Sequence, residues 1–384
     1  MKNILILNEC NQLILPKMKV RYSYLKQQFT NCNDLWSNLK KFVSTGDFTL
    51  GKELEKFEKN FSKLIGTKYA IGVNSGTDAI KLSLRALNIG YGDEVITAAN
   101  TFVATVGAIT EIGARPVFVD CDDTFCMNVS SVQKKITRKT KAIVPVHLTG
   151  YMTNMPKLVK LAKKYRIPIV EDACQSILGA INKKNAGTWG DFGAFSLHPL
   201  KNINVWSDGG VIITNKFSHY KKLKLLRNHG LVNRNTVKIN GYNSRLDTFQ
   251  AVVGNWLLPK AKDITRRRIK NAKYYDLHLS KIKQIKIPPR PKNYKIVFHL
   301  YIVFAEKRDK LFKYCLKNGI EAKVHYPKPM YLQESLNYLS HKVGDFSVTD
   351  AHTKKIISFP CDQHLSLDQM NHIIKTVKKF YKKT

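Results

Sequence analysis

The apolar positions of this chain fall first into a helical rhythm. In KELEKFEKNFSKLIG, Leu54, Phe57, Phe61 and Leu64 share one face, and Gly66 closes the helix. The charged stretch before it, from about residue 20 and including NLKKFV, is also helical in character, and residues 1–16 look like a variable extension. From residue 68 short apolar runs alternate with helical ones. Strands are expected over 68–73, 93–99, 115–121, 141–148, 167–172, 193–197 and 209–215, and helices over 77–88, 102–113 and 155–165. The strands are apolar almost throughout rather than at every second position, so both faces are buried. With helical connections this implies an α/β fold, a mostly parallel central sheet covered by helices. Beyond residue 250 the rhythm changes. Proline and lysine cluster in PPRPKNYK, one strand is expected over 295–305, and a helix over 308–318. The expected division is an N-terminal extension and helix (1–45), a large domain (46–258) and a smaller C-terminal α+β domain (259–384).

Composition changes this picture in one respect. A chain of 384 residues with 43% hydrophobic content suits two or three folding units with a large core. Its 64 Lys and Arg against 28 Asp and Glu give a net charge of +36. Such a balance suggests anionic partners, but the lysines are spread along the chain. The densest groups, Arg266-Arg267-Arg268 and the tail lysines 378, 379, 382 and 383, are short. No zinc finger, RNA-binding signature or basic zipper accompanies them, so specific nucleic-acid binding is not expected. A solvated lysine surface is the plain reading, and attraction of an anionic substrate the functional one. Seven cysteines without a CxxC pair read as reduced thiols, and Cys121 and Cys126 suit no common zinc spacing. The start MKNILILNEC is broken too early for a signal-peptide core, and no apolar run approaches the ~20 residues that cross a bilayer. The expectation is a cytoplasmic protein without a metal site or membrane segment.

In an open α/β sheet, ligands gather at the carboxyl ends of strands. Three features stand there. NSGTDA (74–79) leads from a strand straight into a helix, where free N–H groups and the dipole favour an anion. Simple capping by Ser75 or Thr77 is the structural alternative. Glu171 and Asp172 end the strand 167–172, with Gln175 beyond; a carboxylate there can hold a proton on a pyridinium nitrogen. Lys201 follows the strand 193–197, flanked by His198, Pro199 and Asn202, and is a Schiff-base candidate.

The ordered strings GTKYAIGVNSGTDAI, ITAANTFVAT, PVHLTG, VEDACQSILGA, GDFGAFSLHPLKN with DGG, RNHG, GYNSRLDTFQA, GIEAKVHYPKP and SFP, over about residues 45–360, resemble the DegT/StrS family of sugar aminotransferases. The resemblance implies a fold type I transferase dependent on pyridoxal 5'-phosphate (PLP). It implies that Lys201 is the cofactor-linking lysine and proton-transfer base, and Asp172 the partner of the pyridinium nitrogen. Gln175 would stand beside the phenolic oxygen, and Phe102 would stack on the ring. Gly76, Thr77, Asp78 (through its backbone N–H) and Ser196 would form the phosphate cup. Asn243 would reach the phosphate of a second subunit, which implies a homodimer with shared active sites. Arg245, His325 and Tyr326 are weaker substrate candidates, for which packing is the alternative.

The implied reaction moves an amino group from an amino acid, with glutamate the expected donor, to a keto-sugar. The ketone would be on a nucleotide-linked deoxysugar, and the product would enter lipopolysaccharide or other amino-sugar synthesis. A free oxidised octulosonate is an alternative acceptor. A PLP-dependent sugar dehydratase is a second enzyme reading, which the retained Lys201 opposes. A regulatory or binding protein on the same fold is the non-enzyme reading. The segment NINVWSDGG departs from many relatives at Trp206 and Asp208, and is expected to border the sugar pocket.

Overall fold

The computed structural model describes residues 18–383. The expected variable extension, residues 1–16, therefore lies outside the described residues. β1 (Tyr69–Val73), β7 (Gly210–Thr214), β6 (Phe192–Ser196) and β5 (Val170–Asp172) form a four-stranded run, and β4 (Thr140–Val144), β2 (Glu94–Ala98) and β3 (Arg115–Val119) a three-stranded one. Parallel bridges from Ile143 to Ile169 and from Val146 to Asp172 join the two into one sheet. Neighbours are parallel except β7, which runs antiparallel to both β1 and β6. The short apolar run 209–215 gave no indication of that reversal. At its start Gly210 lets β7 lie close against the turn after β1, where a Cβ would stand 2.2 Å from the Ser75 carbonyl oxygen.

Both faces of the sheet are covered, which is why the strands read as continuous apolar runs. Ile143, Val211 and Ile213 pack with the helices Asn33–Val43, Lys52–Ile65, Met155–Tyr165 and Thr248–Leu257. Their neighbours Ala142, Val144 and Ile212 turn the other way, towards the helices Gly76–Ala86, Val103–Thr110 and Phe217–Leu226. The helix Lys52–Ile65 ends at Gly66 with φ +83°, the left-handed cap its sequence calls for.

A second antiparallel sheet joins β8 (Ile285–Lys286), β9 (Tyr301–Ala305) and β10 (Ile356–Phe359). It packs against the helices Ala261–Leu279, Arg308–Lys317 and Leu367–Lys383. Val20 and Tyr24 belong to this core, whereas Leu35, Leu39 and Phe42 belong to the large sheet's. The stretch 20–65 is thus divided between the two.

One expected element fails. The strand drawn over 295–305 exists only as Tyr294–Lys295 and Tyr301–Ala305, and residues 296–300 are bent out of it. The Arg266-Arg267-Arg268 cluster is also divided. Arg266 and Arg267 pair with Asp263 at the surface, while Arg268 is buried against Asp362. No helix among the described residues is long and apolar enough to cross a membrane, and none of their side chains form a metal-holding cluster.

Candidate active site

At the carboxyl ends of β1, β5 and β6 lies a cavity of about 380 Å³. Its floor is built from the helix Gly76–Ala86 and the turn before it. Ser75 caps that helix, its hydroxyl oxygen accepting the Asp78 N–H at 3.1 Å. The cap thus uses the N–H expected to serve in the phosphate cup. The N–H groups of Gly76 and Thr77, in the first turn, have no intrahelical acceptor and remain for a ligand. Gly76 is required by close packing, because a Cβ there would stand 2.7 Å from the Ser196 Cβ. Gly76, Thr77 and Ser196 all line the cavity.

The Asp78 side chain points elsewhere. It pairs with Lys81 at 2.7 Å and accepts the Ser244 hydroxyl at 2.6 Å. That bond anchors an extended segment in which Ser244 and Leu246 are buried and Asn243 is exposed. Arg245 Nε donates to Asn243 Oδ1 at 2.8 Å. Neither Asn243 nor Arg245 lines this chain's own cavity.

Asp172 ends β5 and is almost fully buried. Its Oδ1 accepts the Cys174 N–H at 3.1 Å, and its Oδ2 accepts the Thr105 hydroxyl at 2.7 Å. Glu171 does not share this site. Successive strand residues face opposite ways, and its carboxylate receives the N–H groups of Gly187, Trp189 and Gly190 and contacts His147 Nε2 at 2.9 Å. It is a structural anchor for the loop 187–190.

Lys201 sits in a turn closed by its own N–H to the His198 carbonyl at 2.8 Å. Burial holds its amine below the usual lysine range, partly opposed by Cys174 and Asp172. More of the amine is therefore neutral near pH 7, as a nucleophile requires. Gln175 lines the cavity, and its Oε1 accepts the Thr149 N–H at 2.7 Å. Phe102 is 48% exposed at the rim, its ring 6.0 Å from that of Tyr326. Burial lowers His325 to about 4 and pushes Tyr326 up to about 12. His325 Nδ1 is 2.8 Å from Ser358 Oγ.

Asp208 lines the cavity as expected, but Trp206 does not. Its ring packs among Phe29, Trp36 and Phe249, with centroids 5.7, 5.1 and 6.0 Å away. Cys174, Leu200 and His299 line the cavity without having been singled out from sequence. For His299 the only signal was a histidine inside the apolar run KIVFHLYIVF.

The residues suit PLP. A glycine-walled helix start would take the phosphate, a buried carboxylate the ring nitrogen, an amine the aldehyde carbon, and Phe102 the ring face. A mostly parallel sheet with one reversed strand and this site at its carboxyl edge defines a fold type I aminotransferase. The sequence pattern of the DegT/DnrJ/EryC1/StrS aminotransferase family matches residues 32–378, and the chain belongs to that family. It is 34% identical to the UDP-N-acetyl-3-dehydro-alpha-D-glucosamine 3-aminotransferase of Acidithiobacillus ferrooxidans, over 90% of this chain and 94% of that one. It is likewise 34% identical to the dTDP-3-amino-3,4,6-trideoxy-alpha-D-glucose transaminase of Streptomyces venezuelae, over 89% and 90%. The crystal structure of S. venezuelae DesV in complex with ketimine intermediate superposes with a TM-score of 0.92 at 32% identity, covering 94% of this chain and 98% of that one. The protein is a PLP-dependent sugar aminotransferase.

Proposed function

We propose that this enzyme transfers an amino group from glutamate to a keto-sugar carried on a nucleotide. The observation that carries the reading is the meeting, in one cavity, of Lys201, Asp172 and the Gly76–Thr77 helix start. The Acidithiobacillus and Streptomyces relatives, named for UDP- and dTDP-linked sugars, support the nucleotide.

Bound PLP supplies an electron sink for the carbon that exchanges nitrogen. The chain's residues do the rest. Gly76, Thr77 and Ser196 would hold the phosphate, with Asp78 contributing only by closing the helix cap. Asp172, fixed by Thr105 and the Cys174 N–H, would hold a proton on the ring nitrogen. Gln175 would lie beside the phenolic oxygen and Phe102 against the ring. The Lys201 amine, kept partly neutral by burial, would take the proton from the donor's α-carbon and deliver one to the acceptor carbon. His325 and Tyr326 would close the mouth on the substrate side.

The reading includes a homodimer in which Asn243 and Arg245 serve the second subunit's site. In its favour, both lie off their own cavity, and Leu200 and Val103 leave 48% and 54% of their surface exposed near its rim. The free thiols suit a reducing cytoplasm, and the product would supply lipopolysaccharide or other surface-glycan synthesis. UDP-, dTDP- and GDP-linked keto-sugars, offered with glutamate, test the substrate class. Mass spectrometry should show conversion of C=O to CH–NH2 on at least one of them. Amination of a free keto-sugar alone would refute the nucleotide-linked reading.

A further inference from the structure

Residues 296–300 leave strand geometry at a point where nothing in the local pattern calls for it. Phe298 has φ +49°, a left-handed conformation uncommon for a bulky aromatic residue. Such backbone persists where the surroundings over-determine it, and here they do. The Val297 N–H donates to the Gly150 carbonyl and the Leu300 N–H to the Thr149 carbonyl, each at 3.1 Å. Gly150 approaches so closely that a Cβ on it would lie 2.6 Å from the Phe298 nitrogen. Asn202, beside Lys201, donates to the Val297 carbonyl at 3.1 Å. From behind, the buried Arg268 donates to the carbonyls of Phe298 (3.2 Å) and His299 (3.3 Å).

All of this fixes one side chain. The His299 imidazole stands in the wall of the cavity that Lys201 lines. Its Nδ1 is buried without a hydrogen-bond partner. Buried polar groups are normally paired, and the residue as a whole keeps part of its surface open on the wall it gives to the cavity. Burial, with Lys201, Arg268, His325 and His198 adding to it, keeps the ring uncharged.

We propose that His299 is a substrate-positioning residue whose neutral imidazole hydrogen-bonds a hydroxyl of the acceptor sugar beside the reacting carbon. The proposal rests on the keto-sugar reading above. A neutral imidazole offers one donor and one acceptor, which matches a hydroxyl. A carboxylate of the amino donor would find no free guanidinium here, since Arg268 is committed to Asp362, Gln363 and the two carbonyls.

The test uses PLP-loaded enzyme and unreactive probes. UDP-N-acetylglucosamine and dTDP-glucose, and UDP and dTDP alone, are titrated by calorimetry into wild type, His299→Leu and His299→Gln. His299→Leu should weaken nucleotide-sugar binding about tenfold, the scale of one hydrogen bond, and leave the bare nucleotides unchanged. His299→Gln should recover part of the loss. The single-turnover rate with glutamate should stay within about threefold, and the pH titration of the bound cofactor's visible band should not move. An equal loss for bare nucleotide, a loss confined to the glutamate step, or no loss at all would overturn the role. Where His299→Leu fails to fold, His299→Gln against wild type carries the same comparison. Wild-type enzyme that binds neither nucleotide-sugar would instead remove the nucleotide-linked reading, and the role of His299 with it.

Discussion

Glu171 and Asp172 are consecutive acids on one strand, both buried, yet they inhabit opposite sides of the sheet. On one side, Glu171 is saturated by the three N–H groups and the histidine that hold the loop 187–190. On the other, Asp172 has two donors and borders an open cavity. The number of partners a buried carboxylate already has separates structure from function here. Four leave no lone pair for a ligand, whereas two leave room for a ring nitrogen.

Mutations can break that comparison. Lys201→Ala should abolish turnover, and Asp172→Asn should lower kcat by about 10³ or more, while near-ultraviolet circular dichroism stays native. Glu171→Ala should do the reverse. It leaves a histidine and three backbone donors unpaired in the interior, so chemical denaturation should show a loss of about 3–5 kcal/mol. The fraction that remains folded should keep most of its activity per bound cofactor. If instead Glu171→Ala folded normally and lost only activity, the two faces would have been assigned wrongly.

The sign of a pH effect sharpens the account at the mouth. His325 titrates at about 4 in the folded chain because burial penalises its charge. Between that value and the unfolded ~6.5 the unfolded chain binds more protons, so stability falls as pH drops through this window. His325→Asn should remove on the order of 2 kcal/mol of that acid loss in denaturation measured at pH 6.5 and pH 4.5. The smallest effect is expected at Trp206, whose ring packs outside the cavity. Trp206→Ala should cost about 1–2 kcal/mol of stability through lost ring contacts and leave substrate KM unchanged.

What the sequence could and could not convey follows from range. The strand ends carrying Lys201, Asp172 and the Gly76–Thr77 turn were legible, because apolar runs fix the strands and the fold fixes which end binds. The side on which each strand-end acid falls was not legible in the pattern, since two consecutive acids read alike until the register is known; only the family resemblance singled out Asp172. The bend at 296–300 was also invisible. It is imposed by Gly150, Asn202 and Arg268, all distant in sequence, and the local pattern of β-branched and aromatic residues argues for a continuous strand. Trp206 was misplaced for the same reason. Phe29, Trp36 and Phe249, which draw it away, lie far from it along the chain.

The most direct measurement is the absorbance of the purified enzyme with PLP, before and after glutamate, for wild type and Lys201→Ala. Wild type should show a band near about 420 nm that gives way to one near about 330 nm, the ranges of this cofactor class, and Lys201→Ala should not make that change. A wild-type enzyme with no visible band, or a Lys201→Ala enzyme that converts at the wild-type rate, would contradict the assignment of this cavity as the aminotransferase site.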